Sequence, residues 1–341
     1  MMRTERAGWV GALALAGAMA LTAPLAAATP RFSELYIFGD SLSDTGNLFD
    51  LTGALPGGPL PPSPPYFMGR VSDGPIWADL IAAEYAAAGR AVSNYAFAFG
   101  RAVSPTTVDP NEPASFLPIN LSDQIARFLG DVAVAPVGAA AAAIMLIGAN
   151  DTFHSLRLAA AEPPGTPGGT VVGNIAARAQ QAVAAIAGVA ETLRDQGVGT
   201  LVVMNLPDLG QLPAFSGDAV SSVLATLATN SFNTALAAET FPGLAVERID
   251  VNALFAGLLA DPEAFGLSGL GPCFDPANLG AGICADSSAL AFVDPVHPNS
   301  VVHAALAAEV RSVVAPIPVP ATGWLLLGGL VLLGGVARRR A

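Results

Sequence analysis

The stretch that decides the fold is Phe38–Asn47, which reads Phe-Gly-Asp-Ser-Leu-Ser-Asp-Thr-Gly-Asn. The apolar run Leu35–Phe38 at its start is bounded by Glu34 and Gly39. A run this short does not suit a helix and predicts a buried strand. Ser41 then stands just past the carboxyl end of that strand, where open α/β sheets build their sites. The same residues also suit an ordinary polar turn, because Asp, Ser and Gly are common in turns.

Strand candidates alternate with helix candidates along the rest of the chain. This alternation predicts an α/β fold with a single three-layer α/β/α domain and a doubly wound, mainly parallel sheet of five strands. The predicted strands are Leu35–Phe38, Val92–Ala96, Ala142–Ile147, Leu201–Asn205 and Val246–Val251. The predicted helices run from Pro75 to Gly89, Ser122 to Leu129, Asn174 to Gln196, Ala219 to Glu239, Asn252 to Leu259, and Ser300 to the residue before Pro316.

The composition limits the partners that the chain is expected to have. Of its 341 residues, 52% are hydrophobic, which is enough for a sizeable core, and the formal net charge is -12. All 15 basic residues are arginine. Because an acidic chain without a basic run has no means of neutralising phosphates, we predict that it does not bind nucleic acid.

Residues 1–28 have the pattern of an export signal. Two arginines precede the apolar stretch Trp9–Leu25, and three alanines follow it. A positive start, an apolar middle and a small-residue cleavage site predict a secretory signal peptide, with an uncleaved membrane anchor as the alternative. In an exported chain, Cys273 and Cys284 are candidates for a disulfide that closes a small loop, although two unpaired thiols also fit.

Residues 316–341 form a second terminal segment. Proline-rich Pro316–Thr322 precedes the uncharged apolar run Gly323–Ala337, and Arg338–Arg340 follow. The run is short for a membrane span, for which about 20 residues are usual. The segment resembles the PEP-CTERM class of bacterial sorting signals in its Val-Pro-x-Pro-Ala variant, with Ile317 in place of the first Val. The resemblance implies a transmembrane tail, sorting and processing machinery as its partner, and a place in the cell envelope, at the surface or outside the cell. A plain C-terminal anchor is the alternative.

A histidine base has to come from three candidates, at positions 154, 297 and 303. His297 follows Asp294 by three residues and stands between two prolines, which predicts a loop. A carboxylate at that spacing can accept from Nδ1–H and leave Nε2 free to take a proton from a hydroxyl. The spacing alone is weak and also fits an ordinary surface loop. His154 follows the third strand without a carboxylate at comparable spacing, and packing or solvent exposure explains His303 early in the last helix.

Two other strand ends carry candidate hydrogen-bond donors. Asn150 follows the third strand, where its amide would donate to a developing oxyanion or cap a turn. Gly100 follows the second strand, where it would present its N–H to a ligand or form a simple turn. The chain has no Gly-x-Ser-x-Gly elbow, no glycine-rich phosphate cradle and no metal-like spacing of His and Cys, so we predict no metal and no cofactor.

In their order along the chain, these motifs resemble the GDSL family of esterases and lipases, also called SGNH hydrolases. The resemblance implies an SGNH-hydrolase or flavodoxin-like fold for a body at residues 29–315. It covers Phe32 to Val313 and rests on Phe38–Asn47, Gly69–Trp77, Asn205–Gly210, Phe232–Asn233 and the Asp294–His297 block.

Carried over residue by residue, the resemblance implies that Ser41 is the nucleophile and the first oxyanion N–H donor. It implies that His297 is the base and that Asp294 orients it. Gly100 would give the second N–H of the oxyanion hole, and Asn150 would give its side-chain donor.

One departure from the family pattern affects the second N–H. The family usually has Gly-Gly-Ala where this chain has Ala98–Gly100, and an ungapped alignment puts the oxyanion glycine on Phe99. A phenylalanine must avoid positive φ. We therefore assign the donor to Gly100, which allows for a shift of one residue.

The leading hypothesis is an exported serine hydrolase of the lipase or esterase type that cleaves carboxylic esters through an acyl-enzyme on Ser41. Its substrate would be a small-molecule, lipid or polysaccharide ester, and membrane contact would occur only through the terminal segments. One alternative is a catalytically inactive surface or matrix binding protein, which the departure at Phe99 and the resemblance of the tail to a sorting signal motivate. Another is an acyltransferase that passes the acyl group to an alcohol. Two segments, Thr52–Pro65 and Pro105–Pro118, are predicted to border the cleft.

Overall fold

The structure is a computed structural model that describes residues 30–163, 165–278 and 282–315. Within these ranges, Phe32–Val314 form one compact unit. The signal peptide predicted at 1–28 lies outside the described residues. The sorting tail predicted at 316–341, with its expected transmembrane segment, lies outside them as well. No helix in the described ranges is both long and apolar enough to cross a bilayer.

The central sheet consists of parallel strands that pair in a doubly wound order. They are β1 (Glu34–Gly39), β2 (Ala91–Asn94), β3 (Ala141–Leu146), β4 (Thr200–Met204) and β5 (Ala245–Ile249). Their order across the sheet is β2-β1-β3-β4-β5, and every pairing is parallel. This confirms the predicted five-stranded parallel sheet. The winding direction reverses between β1 and β3, and such a switch point leaves a crevice at the carboxyl edge of the sheet.

Helices cover the sheet in two groups. In the described residues they are α1 (Asn47–Thr52), α2 (Trp77–Ala87), α3 (Leu121–Val132), α4 (Ala149–Ala160), α5 (Gly168–Asp195), α6 (Pro213–Ser216), α7 (Ala219–Ala238), α8 (Val251–Ala260) and α9 (Ser300–Val314). Helix α2 packs against α9, whereas α4, α5 and α7 pack against one another and α3 contacts α5. Because crossovers between parallel strands are right-handed, the two groups lie on opposite faces, which gives the predicted three layers.

Several elements were not predicted from the sequence, among them the short helices α1 and α6. Helix α4 begins directly after β3, where only a turn was expected, because Gly148 adopts a φ of +123° and turns the chain into the helix at once. A small second sheet pairs β6 (Gly269–Pro272) with β7 (Leu290–Phe292). Strands this short carry too little alternation of apolar and polar residues to be recognised in a sequence.

The first strand is held by burial on both of its faces. Leu35 and Ile37 are fully buried. The ring of Phe38 packs edge-on against Phe128 of α3, with 5.8 Å between the ring centroids. Each large apolar side chain buried in this way contributes about 1.5–3 kcal/mol. The strand that leads into Ser41 is therefore a fixed part of the core.

A disulfide supports the segment that follows β7. Cys273 is bonded to Cys284, so the two cysteines singled out in the sequence are paired. The next residue, Phe274, donates its N–H to the carbonyl of Val293 at 3.0 Å. The disulfide-bonded segment thus holds the backbone immediately before Asp294.

Gly148 lies where any side chain would disturb both backbone and packing. A Cβ at this position would overlap the ring of Phe232, and its φ of +123° is unfavourable for other residues. We expect Gly148→Ala to lower the free energy of unfolding by about 2–4 kcal/mol, because backbone strain and overpacking add together. Urea denaturation of the purified protein measures this loss.

The matched control for this prediction is Gly89→Ala. Gly89 also has a positive φ, +67°, but nothing lies within 4 Å of the place that its Cβ would take. We expect this control to lose about 1–2 kcal/mol, from backbone strain alone. Equal losses in the two variants would contradict the packing explanation.

Candidate active site

The turn after β1 holds Ser41 at the carboxyl edge of the sheet. The carbonyl of Asp40 accepts hydrogen bonds from the N–H groups of Ser43 and Asp44, both at 3.0 Å. Asp40 Oδ1 also accepts from the N–H of Leu42 at 3.2 Å. These bonds span Ser41 and close a tight turn, so the serine is held on the wall of the adjoining cavity.

His297 lies next to Ser41, although 256 residues separate the two in the chain. The distance from His297 Nε2 to Ser41 Oγ is 2.9 Å. On the other side of the ring, Nδ1 lies 2.7 Å from Asp294 Oδ2. When Nδ1–H donates to the carboxylate, Nε2 is left as the acceptor for the serine hydroxyl. The structure thus brings together the three residues that the sequence singled out.

The carboxylate of Asp294 is buried and fully hydrogen-bonded. Its Oδ1 accepts from the N–H groups of Val296 at 2.8 Å and His297 at 2.7 Å. Its Oδ2 accepts from His297 Nδ1 and, at 2.6 Å, from the hydroxyl of Tyr66. The sequence did not predict the role of Tyr66, because nothing in its spacing relates it to a carboxylate 228 residues away. Donors on every side allow the charge to stay buried.

The Asp294 and His297 charges stabilise each other. Burial would raise the pKa of Asp294, but the charge and hydrogen bond of His297, with help from Tyr66, lower that pKa to about 2. Burial would lower the pKa of His297, but the charge and hydrogen bond of Asp294 raise it above its usual value. Burial and the nearby Asp294 charge raise the pKa of Tyr66, so its hydroxyl stays a donor.

Asp40 places a second buried carboxyl group beside the imidazole. It is 1% exposed, and its Oδ2 has no hydrogen-bond partner among the described residues. Burial raises the pKa of Asp40 to about 7, although the N–H of Leu42 and the charge of His297 oppose the rise. The ionised form of Asp40 in turn helps to raise the pKa of His297.

Three donor groups at the site, one of them on Ser41 itself, each have a hydrogen that makes no hydrogen bond within the described residues. The backbone N–H groups of Ser41 and Phe99 have no acceptor among the described residues. Asn150 Nδ2 donates to the carbonyl of Gly100 at 3.0 Å, which uses one of its two hydrogens. Ser41, Phe99 and Asn150 line the same cavity. Donors of this kind stabilise an oxyanion when they are fixed in advance.

The assignment of an oxyanion N–H to Gly100 is corrected by the structure. The N–H of Gly100 donates to the carbonyl of Phe97 at 3.0 Å and closes a turn, so it is already engaged. Glycine is required there for packing, because a Cβ would lie 2.8 Å from the carbonyl oxygen of Ile119. Phe99 adopts the positive φ, +64°, that the sequence analysis had excluded for phenylalanine. The ungapped alignment therefore identifies the residue whose N–H is available.

Asp44 joins the turn that carries Ser41 to the loop that carries Phe99. Its Oδ1 accepts two N–H groups of its own loop, at 2.8 and 2.6 Å. Its Oδ2 accepts the N–H of Ala98, directly before Phe99, at 2.8 Å. This buried carboxylate fixes the position of one oxyanion donor relative to the serine.

A cavity of about 470 Å³ adjoins these groups, which is within the usual range for small-molecule sites. Both segments predicted to border the cleft, Thr52–Pro65 and Pro105–Pro118, contribute to its wall. Most of the wall is apolar. The polar residues that line it away from Ser41 are Arg101, Asn111, Glu112 and Arg157.

The other two histidines do not contact Ser41. His154 Nδ1 lies 3.3 Å from Glu112 Oε1, and burial together with the charge of Arg101 lowers the pKa of His154. His303 is 1% exposed, its ring nitrogens have no hydrogen-bond partner among the described residues, and burial lowers its pKa to about 3. Among all the residues that the structure describes, no three His, Cys, Asp or Glu side chains are placed to hold a metal ion.

A serine hydroxyl bonded to an imidazole that is bonded to a buried carboxylate is the arrangement found in serine hydrolases. The family described as GDSL-like Lipase/Acylhydrolase matches residues 35–310. The match spans most of the chain, and the chain belongs to this family. The protein is therefore a carboxylic ester hydrolase.

Comparison with known proteins gives relatives of two kinds. The chain is 30% identical over 256 residues to the phosphatidylcholine-sterol acyltransferase of Aeromonas hydrophila. The aligned region covers 74% of this chain and 69% of that protein. It is 27% identical over 269 residues to an acetylesterase of Thermothelomyces thermophilus, covering 75% and 82%. Among solved structures, the lipase Lip_vut3 from a goat rumen metagenome matches 82% of this chain and 96% of its own, with a TM-score of 0.45 and 15% identity.

Titration of the histidines by NMR tests the electrostatics of the site. We expect His297 to titrate above its usual pKa of about 6.5, and His154 and His303 to titrate below it. In Asp294→Asn the larger of the two charges that raise the pKa of His297 is lost, while burial and the smaller contribution of Asp40 remain, so that pKa is expected to fall. The His303 signal serves as the internal reference. An His297 pKa that is unchanged in the variant would contradict the account.

Proposed function

We propose that the protein is an exported serine ester hydrolase that forms an acyl-enzyme on Ser41. The observation that carries the proposal is the continuous row of hydrogen bonds from Asp294 through His297 to Ser41, at 2.7 and 2.9 Å. Unengaged N–H donors and an apolar cavity adjoin the serine. A nucleophile, a base with an orienting partner and an oxyanion site are the parts that acyl transfer requires.

Acylation begins when Ser41 Oγ attacks the carbonyl carbon of the ester while its proton passes to His297 Nε2. The carbonyl oxygen becomes an oxyanion that accepts hydrogen bonds from the N–H groups of Ser41 and Phe99 and from Asn150 Nδ2. The bond to the alcohol oxygen then breaks, and the imidazolium of His297 gives its proton to that oxygen. Asp294 stabilises the imidazolium throughout, which is the same interaction that raises the pKa of His297.

Deacylation repeats these steps with water. His297 Nε2 takes a proton from water as the oxygen attacks the acyl carbon, and the same three donors hold the second oxyanion. Collapse of this intermediate breaks the bond to Ser41 Oγ, which recovers its proton from His297. The carboxylic acid leaves, and the free enzyme is restored.

Acyl transfer to an alcohol is a second candidate function. The similarity to the phosphatidylcholine-sterol acyltransferase favours it, and the chemistry needs only an alcohol in place of water in the second half-reaction. Partitioning of products between free acid and a new ester in the presence of an added alcohol separates the two functions.

The alternative of an inactive binding protein loses one of its two grounds. That alternative was based on the departure at Phe99 and on the predicted sorting tail, but the N–H of Phe99 has no acceptor among the described residues and the residue lines the cavity. The oxyanion donor at position 99 is the backbone N–H, so the identity of the side chain there does not remove it.

We also propose that the protein acts outside the cytoplasm. The bond between Cys273 and Cys284 supports this location, because disulfides persist in oxidising compartments. The predicted signal peptide at 1–28 is the proposed route of export, and the predicted tail at 316–341 is the proposed transient anchor.

Replacement of the nucleophile tests the proposed reaction. We expect Ser41→Ala to abolish labelling by a fluorophosphonate probe and to lower kcat for p-nitrophenyl esters by about 10⁴- to 10⁶-fold. The matched control is Ser43→Ala, because the Ser43 hydroxyl has no hydrogen-bond partner among the described residues and Ser43 is not part of the cavity wall. Wild-type labelling of the Ser41 variant would reject the acyl-enzyme on this residue.

A further inference from the structure

Phe99 holds a backbone conformation that favours glycine. Its φ is +64°. Among the described residues, Phe99 and Met68, whose φ is +45°, are the two residues other than glycine with a positive φ. For a bulky side chain this conformation is unfavourable and persists only where the surrounding structure imposes it.

Hydrogen bonds on either side of Phe99 impose this conformation. The N–H of Ala98 donates to Asp44 Oδ2 at 2.8 Å, and the N–H of Gly100 donates to the carbonyl of Phe97 at 3.0 Å. None of these bonds involves the ring of Phe99. A glycine at position 99 would allow the same bonds without steric strain, so the loop geometry does not account for the phenylalanine.

Packing of the core does not account for the phenylalanine either. The side chain is 42% exposed and is not part of either hydrophobic core cluster. It lies on the wall of the cavity beside Ser41. Other apolar side chains that line the same cavity include Leu60, Pro61, Pro62, Tyr66, Val71 and Ala114. An apolar group bound in the cavity would therefore cover the ring and remove its surface from water.

We propose that Phe99 is a specificity-determining residue that acts through both its backbone and its ring. Its N–H donates to the carbonyl oxygen of the ester, and its ring packs against an apolar chain of the same ester. The inference rests on the proposed function of Ser41. The substrate class it indicates is an ester with a chain of several carbons on its acyl or alcohol side, in preference to an acetyl group on a polar alcohol.

The two roles reinforce each other because they belong to one residue. An apolar chain that packs on the ring also fixes the loop that carries the N–H, so binding energy away from the carbonyl helps to stabilise the oxyanion. The wild-type kcat/KM is therefore expected to rise with chain length. If Phe99 had a purely structural role, removal of its ring would leave the dependence of kcat/KM on chain length unchanged.

The test compares Phe99→Gly and Phe99→Ala with wild type on two series of esters. One series has p-nitrophenol as the alcohol and acyl chains from acetate to dodecanoate, and the other has acetate as the acyl group and 1-alkanols of increasing length. We expect the ratio of kcat/KM for long over short chains to fall by about tenfold or more in at least one series, since small changes in apolar contact change specificity by about 10- to 200-fold.

Two further variants separate the ring from the strained backbone. Phe99→Leu keeps an apolar side chain and is expected to retain most of the wild-type ratio of kcat/KM for long over short chains. Met68→Gly relieves the strain of the other positive φ outside glycine, at a residue that is 67% exposed and is not part of the cavity wall, so the ratio is expected to stay as in wild type. Thermal unfolding of each variant shows that it is folded.

Ratios that stay within about twofold of wild type in both series, for both Phe99→Gly and Phe99→Ala, would overturn the proposal. This outcome is distinct from a failure of the proposed function, which would appear as wild-type turnover that does not depend on Ser41. A ratio that falls equally in Met68→Gly would also overturn it, because relief of backbone strain would then explain the effect.

Discussion

The hydrogen bond between the Ser41 hydroxyl and His297 Nε2 requires two segments that are 256 residues apart to meet at one edge of the sheet. Parallel pairing supplies this meeting point, because all the strands end at the same edge. β1 leads to Ser41 and β3 leads to Asn150, on the two sides of the switch point. The segment after β7, supported by the disulfide-bonded stretch, brings Asp294 and His297 to the same crevice.

Buried aspartates hold the loops of the site in place. Asp44 binds the N–H of Ala98, and Asp294 binds the N–H groups of the segment that carries His297. Asp151, at the start of α4, accepts the N–H of Ala102 at 2.7 Å. Each carboxylate has backbone donors that compensate for its burial, and each connects two loops or fixes one. The carboxylates of these aspartates thus contribute to the site through their charge and also by accepting hydrogen bonds from backbone N–H groups.

The sequence was sufficient to predict the central sheet and the meeting of Ser41, Asp294 and His297 in the site. Short apolar runs predicted the five strands, and the motifs around Ser41 and His297 carried enough information to identify the resemblance. The contact of Tyr66 with Asp294 was not predictable, because side-chain contacts between distant loops leave no periodic pattern. The start of α4 was missed because a single positive φ at Gly148 creates it.

The oxyanion loop shows why one assignment failed. Steric rules alone exclude a phenylalanine from positive φ, and they favoured Gly100 as the donor. In the fold, the carbonyls of Phe97 and Ile119 surround Gly100, and hydrogen bonds to the neighbours of Phe99 compensate for its strain. Tertiary contacts outweighed a local preference, which happens most often at functional sites.

A crystal structure of the protein after reaction with a phosphonate ester tests the central claim most directly. The account predicts phosphorus bonded to Ser41 Oγ. It also predicts that the phosphoryl oxygen lies about 2.7–3.1 Å from the backbone nitrogens of Ser41 and Phe99 and from Asn150 Nδ2. A phosphoryl oxygen that turns away from these three donors, or an adduct on another residue, would contradict it.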